Sequence, residues 1–234
     1  MGAIIKREMG AYFTSPIGYI FLAVFYVFTG YFFFAGTLFS GVADLSPVFS
    51  SMFTVLMFLI PVLTMRLMSE EKKQKTDQLL FTSPVNLWSL VLGKIIAAFC
   101  VYVIGLAITL VYGITLSFVS VVKWFPIIAN FIGAMLMGLA LISIGTFISS
   151  LTENQVIAAA GSFAVMIFLM LVDTIGSIMP NEFLSNLFAN ISFYDKYFDF
   201  TSGIVNLSNT VFFLSISGLF SFFTVRVFLK RIYN

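Results

Sequence analysis

The sequence predicts an all-α integral membrane protein with six transmembrane helices. Three observations carry that reading: the composition, the length of the charge-free runs, and where Lys and Arg fall. The 234-residue chain is 60% hydrophobic and only 9% charged, with 30 phenylalanines. An ordinary soluble domain is about 25% charged. A soluble fold of this size lacks the polar surface to cover so much apolar area. The net charge of +2 argues against a nucleic-acid partner, and the high hydrophobicity argues against disorder.

The runs come in order. A span needs about 20 apolar residues, and charge-free runs of about that length fall at 17–39, 47–65, 95–122, 127–151, 155–178 and 210–228. The fifth is uncharged as far as Val172 and reaches its end only by passing Asp173, and the sixth is uncharged as far as Val225 and reaches its end only by passing Arg226. A β-barrel would instead alternate in polarity over segments of about ten residues. Lys6 and Arg7 precede the first run in the manner of a signal peptide. That run exceeds the usual 7–15-residue apolar core, so it reads as a retained helix.

Orientation follows from the basic residues. Ten (Lys6, Arg7, Arg66, Lys72, Lys73, Lys75, Lys94, Arg226, Lys230 and Arg231) fall on one side, and two, Lys123 and Lys196, on the other. Lys and Arg in short loops mark the cytoplasmic side. Both termini are therefore expected in the cytoplasm, which requires an even number of spans and agrees with six.

Three segments outside the spans carry the functional expectations. Residues 3–14 are partly amphipathic and end before Ser15-Pro16, which suits a helix lying on the inner leaflet. The cytoplasmic loop 66–94 offers Ser69 as an N-cap, with Glu70 and Glu71 in the first turn, where the helix dipole favours acids. Lys72, Lys73 and Lys75 follow, then Thr76 and the apolar Leu79 and Leu80. Ser83-Pro84 should end this surface helix. Asn86 is then expected to cap the next helix, with Trp88 and a snorkelling Lys94 at headgroup level. The loop reads either as a connector that keeps topology or as a docking element for a cytoplasmic protein. Thr152 and Gln155 form a capping-box pattern at the start of the fifth span.

The external loop 180–209 alternates aromatics with charges: Phe193, Tyr194, Asp195, Lys196, Tyr197, Phe198 and Asp199. It is too apolar for a free loop. Short helices dipping into the outer interface and capping a cavity are expected, with an aromatic belt as the plainer alternative.

The chain offers little chemistry of its own. It has no histidine and one cysteine, Cys100, so neither a histidine-based triad nor a cysteine metal cluster is available. Gly93-Lys94 lacks the upstream glycine of a phosphate loop, and Ile95 stands where Ser or Thr belongs. No catalytic residue, metal site or cofactor is expected. A proton- or ion-driven carrier needs an ionisable group near the bilayer centre. The one candidate, Asp173, lies about 30 Å along its span at 1.5 Å per residue, near the outer surface. Ala134 and Gly138 make a small-xxx-small pattern that is frequent by chance.

The loop stretch SEEKKQKTDQLLFTSPV, with VLGK beyond it, resembles ABC-2-type transporter permeases. It is most similar to the gliding-motility-type (GldF-like) family, whose loop reads approximately SEE-K-x-x-G-T-x-E-L-L-L-T-S-P. Three further blocks agree in order: KREMGAYFTSPIGYI, GLALISIGTFISSLTENQVIAA and ISFYDKYFDFTSGIVNLSNTVFFLS. Lys75 replaces the usual glycine, and Asp77-Gln78 replaces x-Glu. The resemblance implies the type V ABC exporter architecture with an N-terminal interfacial helix. Loop 66–94 would hold the ATPase-coupling helix, and loop 180–209 external re-entrant helices. It also implies a second permease protomer, identical or related, and a separate cytoplasmic ABC ATPase that binds ATP and Mg. An accessory membrane protein with a large extracytoplasmic domain is a further implied partner. The expected function is a permease subunit in the cytoplasmic membrane, coupling that ATPase to export or extracytoplasmic work. A non-transporting anchor that transmits force and a secondary carrier are the alternatives.

Overall fold

A computed structural model describes residues 1–74, 86–178, 188 and 190–233, and among them the fold is helical. The segment Gly2–Thr14 is α1 and Pro16–Phe33 is α2, which runs into a π-helical turn at Phe34–Leu38. Ser15 is extended between them and Pro16 opens α2. Proline's fixed φ and missing N–H are tolerated at a helix start. Ser46–Thr64 is α3 and Arg66–Lys73 is α4, while Leu87–Leu106 is α5 and Ile108–Ser117 is α6. Trp124–Leu151 is α7, Gln155–Ile178 α8, Phe193–Thr201 α9 and Leu207–Tyr233 α10.

Among the described residues, six helical stretches are long and apolar enough to cross a membrane: Pro16–Leu38, Ser46–Lys73, Leu87–Ser117, Trp124–Leu151, Gln155–Val172 and Leu207–Lys230. Their centres match the six apolar runs, and two ends move furthest. The second stretch does not stop at Arg66. It continues through α4 over 28 residues, about 42 Å of helix at 1.5 Å per residue, so its last turns project beyond a hydrocarbon core of about 30 Å. The third begins at Leu87 rather than at Ile95, which puts Lys94 two turns inside a helix.

The helix α7 is the hub, packing against α3, α4, α5, α8, α9 and α10. Its sequence explains this, because small residues let neighbours come close. Tyr102 of α5 lies against Gly138, where a Cβ would collide with its ring. Its hydroxyl donates to the Ala134 carbonyl at 2.7 Å. The small-xxx-small pair thus seats a tyrosine and gives its hydroxyl a partner where water is scarce.

Candidate functional site

At the end of the molecule carrying the N-terminus, α1 lies across the ends of α4 and α5. Gly93 of α5 makes the approach close: a Cβ there would sit 3.0 Å from the Ile4 side chain. One helical position on, Lys94 is only 2% exposed. Its Nζ lies 3.0 Å from Glu71 Oε1 of α4 and 3.3 Å from Glu8 Oε1 of α1, and it donates to the Leu67 carbonyl at 2.7 Å. Arg7 Nη2 bridges the same two carboxylates, at 2.7 Å to Glu8 and 2.9 Å to Glu71. A second pair, Arg66 with Glu70 at 3.2 Å, joins this cluster around a cavity of about 240 Å³. Three cations and three anions balance, as charges sharing a poorly hydrated site must.

Further contacts fix α1. Arg66 donates to Ser15 Oγ at 2.6 Å and lies over the Tyr12 ring. Tyr12 is 1% exposed and donates to the Leu63 carbonyl at 2.8 Å. Burial pushes its hydroxyl pKa up, so it stays a donor. The α3–α4 junction is held from α7: Ser149 Oγ accepts from the Met68 and Ser69 amides and donates to the Met65 carbonyl. A hydroxyl inserted into a helical ladder marks a bend.

These contacts revise several expectations. Ser69 is not an N-cap; it is buried inside α4, and its hydroxyl donates to the Met65 carbonyl. Glu70 and Glu71 sit in the second turn of α4, not the first turn of a separate helix. Lys72 is buried, donates to the Ser150 carbonyl and lies over the Phe228 ring. Lys94 does not snorkel to the headgroups. Asn86 does cap α5, accepting from the Trp88 amide at 3.0 Å. At the start of α8, Asn154 accepts from the Val156 amide, and Thr152 Oγ accepts from Asn154, in place of the Thr152–Gln155 box. Thr76, Leu79, Leu80, Ser83 and Pro84 lie outside the described residues, as does the Asp173 side chain.

At the opposite end, Ser192 caps α9 by accepting from the Asp195 amide at 2.9 Å. Tyr197 and Phe200 are fully buried, and the Tyr197 hydroxyl donates to the Phe49 carbonyl at 2.9 Å. Tyr194 meets the Phe53 ring edge-on, with centroids 5.2 Å apart, and stacks with Phe198. Asp199 accepts from Asn209 Nδ2 at 2.7 Å. The aromatic face of α9 therefore packs into the bundle, while Phe198 borders a cavity.

Among the described residues no group of His, Cys, Asp and Glu could hold a metal ion. The fold is that of a polytopic helical membrane protein with two structured ends. A family model described as "ABC-2 family transporter protein" matches residues 3–228. The chain belongs to that family, the membrane permease subunits of ABC transporters. The family implies an ABC ATPase partner and pairing of permeases. No curated protein matches the chain.

Proposed function

We propose that this protein is the permease subunit of a gliding-motility-type ABC exporter, driven by a cytoplasmic ATPase that docks on loop 66–94. The observation that supports this most is the Glu8–Glu71–Lys94 cluster. It joins the two roots of the loop, α4 and α5, to each other and to α1. A push on the loop therefore moves α3–α4, α5 and α1 together instead of dissipating in one connector. The other end is separately braced by α9. Such a frame transmits work from one end of the bundle and contains no phosphate loop of its own.

In this reading the termini are cytoplasmic, two permease protomers pair, and an accessory protein with a large extracytoplasmic domain completes the complex. Export and extracytoplasmic work use the same frame. Purification of the tagged chain from its native membrane tests the reading. A co-purifying subunit with a phosphate loop and ATP hydrolysis is expected. A chain that purifies intact with no such subunit overturns it.

A further inference from the structure

A cavity of about 710 Å³ lies at the end opposite α1, between the start of α3, the start of α7 and the end of α9. Small-molecule sites span about 300–1,000 Å³. One wall residue is anomalous. Asn130 is 1% exposed, yet neither its Oδ1 nor its Nδ2 has a hydrogen-bond partner among the described residues. A buried, unpaired carboxamide is destabilising, and a ligand in the cavity would offset that cost by accepting from Nδ2 and donating to Oδ1.

The rest of the wall narrows the ligand class. It carries one carboxylate, Asp44, and one ammonium, Lys123. Neither is ion-paired among the described residues. Asp44 Oδ1 accepts from the Ser46 amide and hydroxyl at 2.9 and 2.8 Å, which fixes the carboxylate in place. A purely anionic ligand would face Asp44 and a purely cationic one would face Lys123; like charges brought together disfavour both. A zwitterion satisfies each. Beside the cavity the surface is strongly apolar: Val121, which lines it, is 98% exposed, and Phe118 and Val119 are 84% and 82% exposed. A cavity that carries one charge of each sign and opens beside such a strip fits an amphiphile, whose apolar part lies along the strip.

We propose that this cavity binds a zwitterionic headgroup of the phosphoethanolamine kind, its ammonium at Asp44, its anion at Lys123, and Asn130 hydrogen-bonding between them. Neither an ATPase nor transport is required for this, so the inference stands apart from the function proposed above. The same chemistry has two sources, a membrane lipid or a free zwitterion, and the apolar strip favours the lipid.

The test is thermal unfolding of the full-length protein in a non-ionic detergent. The titrants are short-chain phosphatidylethanolamine, phosphatidylglycerol with the same chains, and free phosphoethanolamine. A ligand that binds only the folded state raises the midpoint saturably. Phosphatidylethanolamine should do so and phosphatidylglycerol should not. Asn130→Leu and Lys123→Gln should each weaken the response about tenfold, the scale of one lost hydrogen bond to a charged group. Lys123 is exposed and makes no side-chain hydrogen bond among the described residues, so its variant carries the test if Asn130→Leu fails to fold. An equal response to free phosphoethanolamine supports the site and assigns the ligand to solution. Equal shifts from both lipids, or variants that respond as the wild type does, overturn the proposal and leave a hydrated vestibule.

Discussion

Lys94 Nζ lies 3.0 Å from Glu71 Oε1, which closes loop 66–94 at its base and leaves the ammonium almost entirely out of water. Without Lys94, Glu8 and Glu71 are left to share Arg7 alone, one carboxylate in excess; breaking a buried ion pair costs up to about 3–5 kcal/mol. The Lys94→Met variant should therefore be markedly less stable than wild type. Loss should appear first where α1 meets α5. A thiol at Ile4, which packs on Gly93, should become reactive in a Cys100→Ala background while the six spans stay inserted. Adding Glu71→Gln to Lys94→Met should recover part of the stability, because the excess carboxylate is gone and Arg7 pairs with Glu8 alone. Thermal unfolding of the four proteins gives the coupling directly; additive losses would show that the pair does not act as a unit.

The seat of Tyr102 on α7 makes a second prediction. Gly138→Ala places a methyl group where the ring lies. Overpacking of this kind costs about 1–3 kcal/mol. Tyr102→Phe keeps the ring and loses the hydroxyl that donates to Ala134, costing about 0.5–1.5 kcal/mol. The expected order in thermal midpoint is wild type, then Tyr102→Phe, then Gly138→Ala. A Gly138→Ala protein as stable as wild type would mean that α5 and α7 do not approach this closely.

Topology gives the third. Single cysteines at Gln74 and Ser202, again in a Cys100→Ala background, report the two ends. With an impermeant thiol reagent on intact cells, Ser202→Cys should react and Gln74→Cys should react only after permeabilisation. The reverse pattern would invert the assignment of sides.

The positions of the six spans were legible in the sequence because each is a run of apolar residues whose length the bilayer sets. Charges inside helix ends were harder to read. Lys94 stands just before an apolar run, which marks a snorkelling lysine equally well. Its actual partners, Glu8 and Glu71, lie far off in sequence, and nothing local announces them. Ser69 has the right residue type and spacing for an N-cap. The apolar stretch before it is long enough, however, to carry the helix through Met65 and bury the hydroxyl. In the sequence Asn130 is one polar residue inside an apolar run; only the cavity beside it gives it meaning. The aromatic loop was more readable, since alternating rings and charges without a disulfide already implied a segment that packs.

The measurement that bears most directly on the central claim is ATPase retention by the loop. In the proposed docking, Leu79 and Leu80 of loop 66–94 are apolar anchors for the soluble partner, and truncating such anchors with Leu79→Ser and Leu80→Ser should cost about 2 kcal/mol or more each. The account predicts that the double variant inserts normally, keeps its thermal midpoint, and loses the co-purifying ATPase together with its ATP hydrolysis. A folded double variant that retains the ATPase at wild-type levels would contradict docking at this loop.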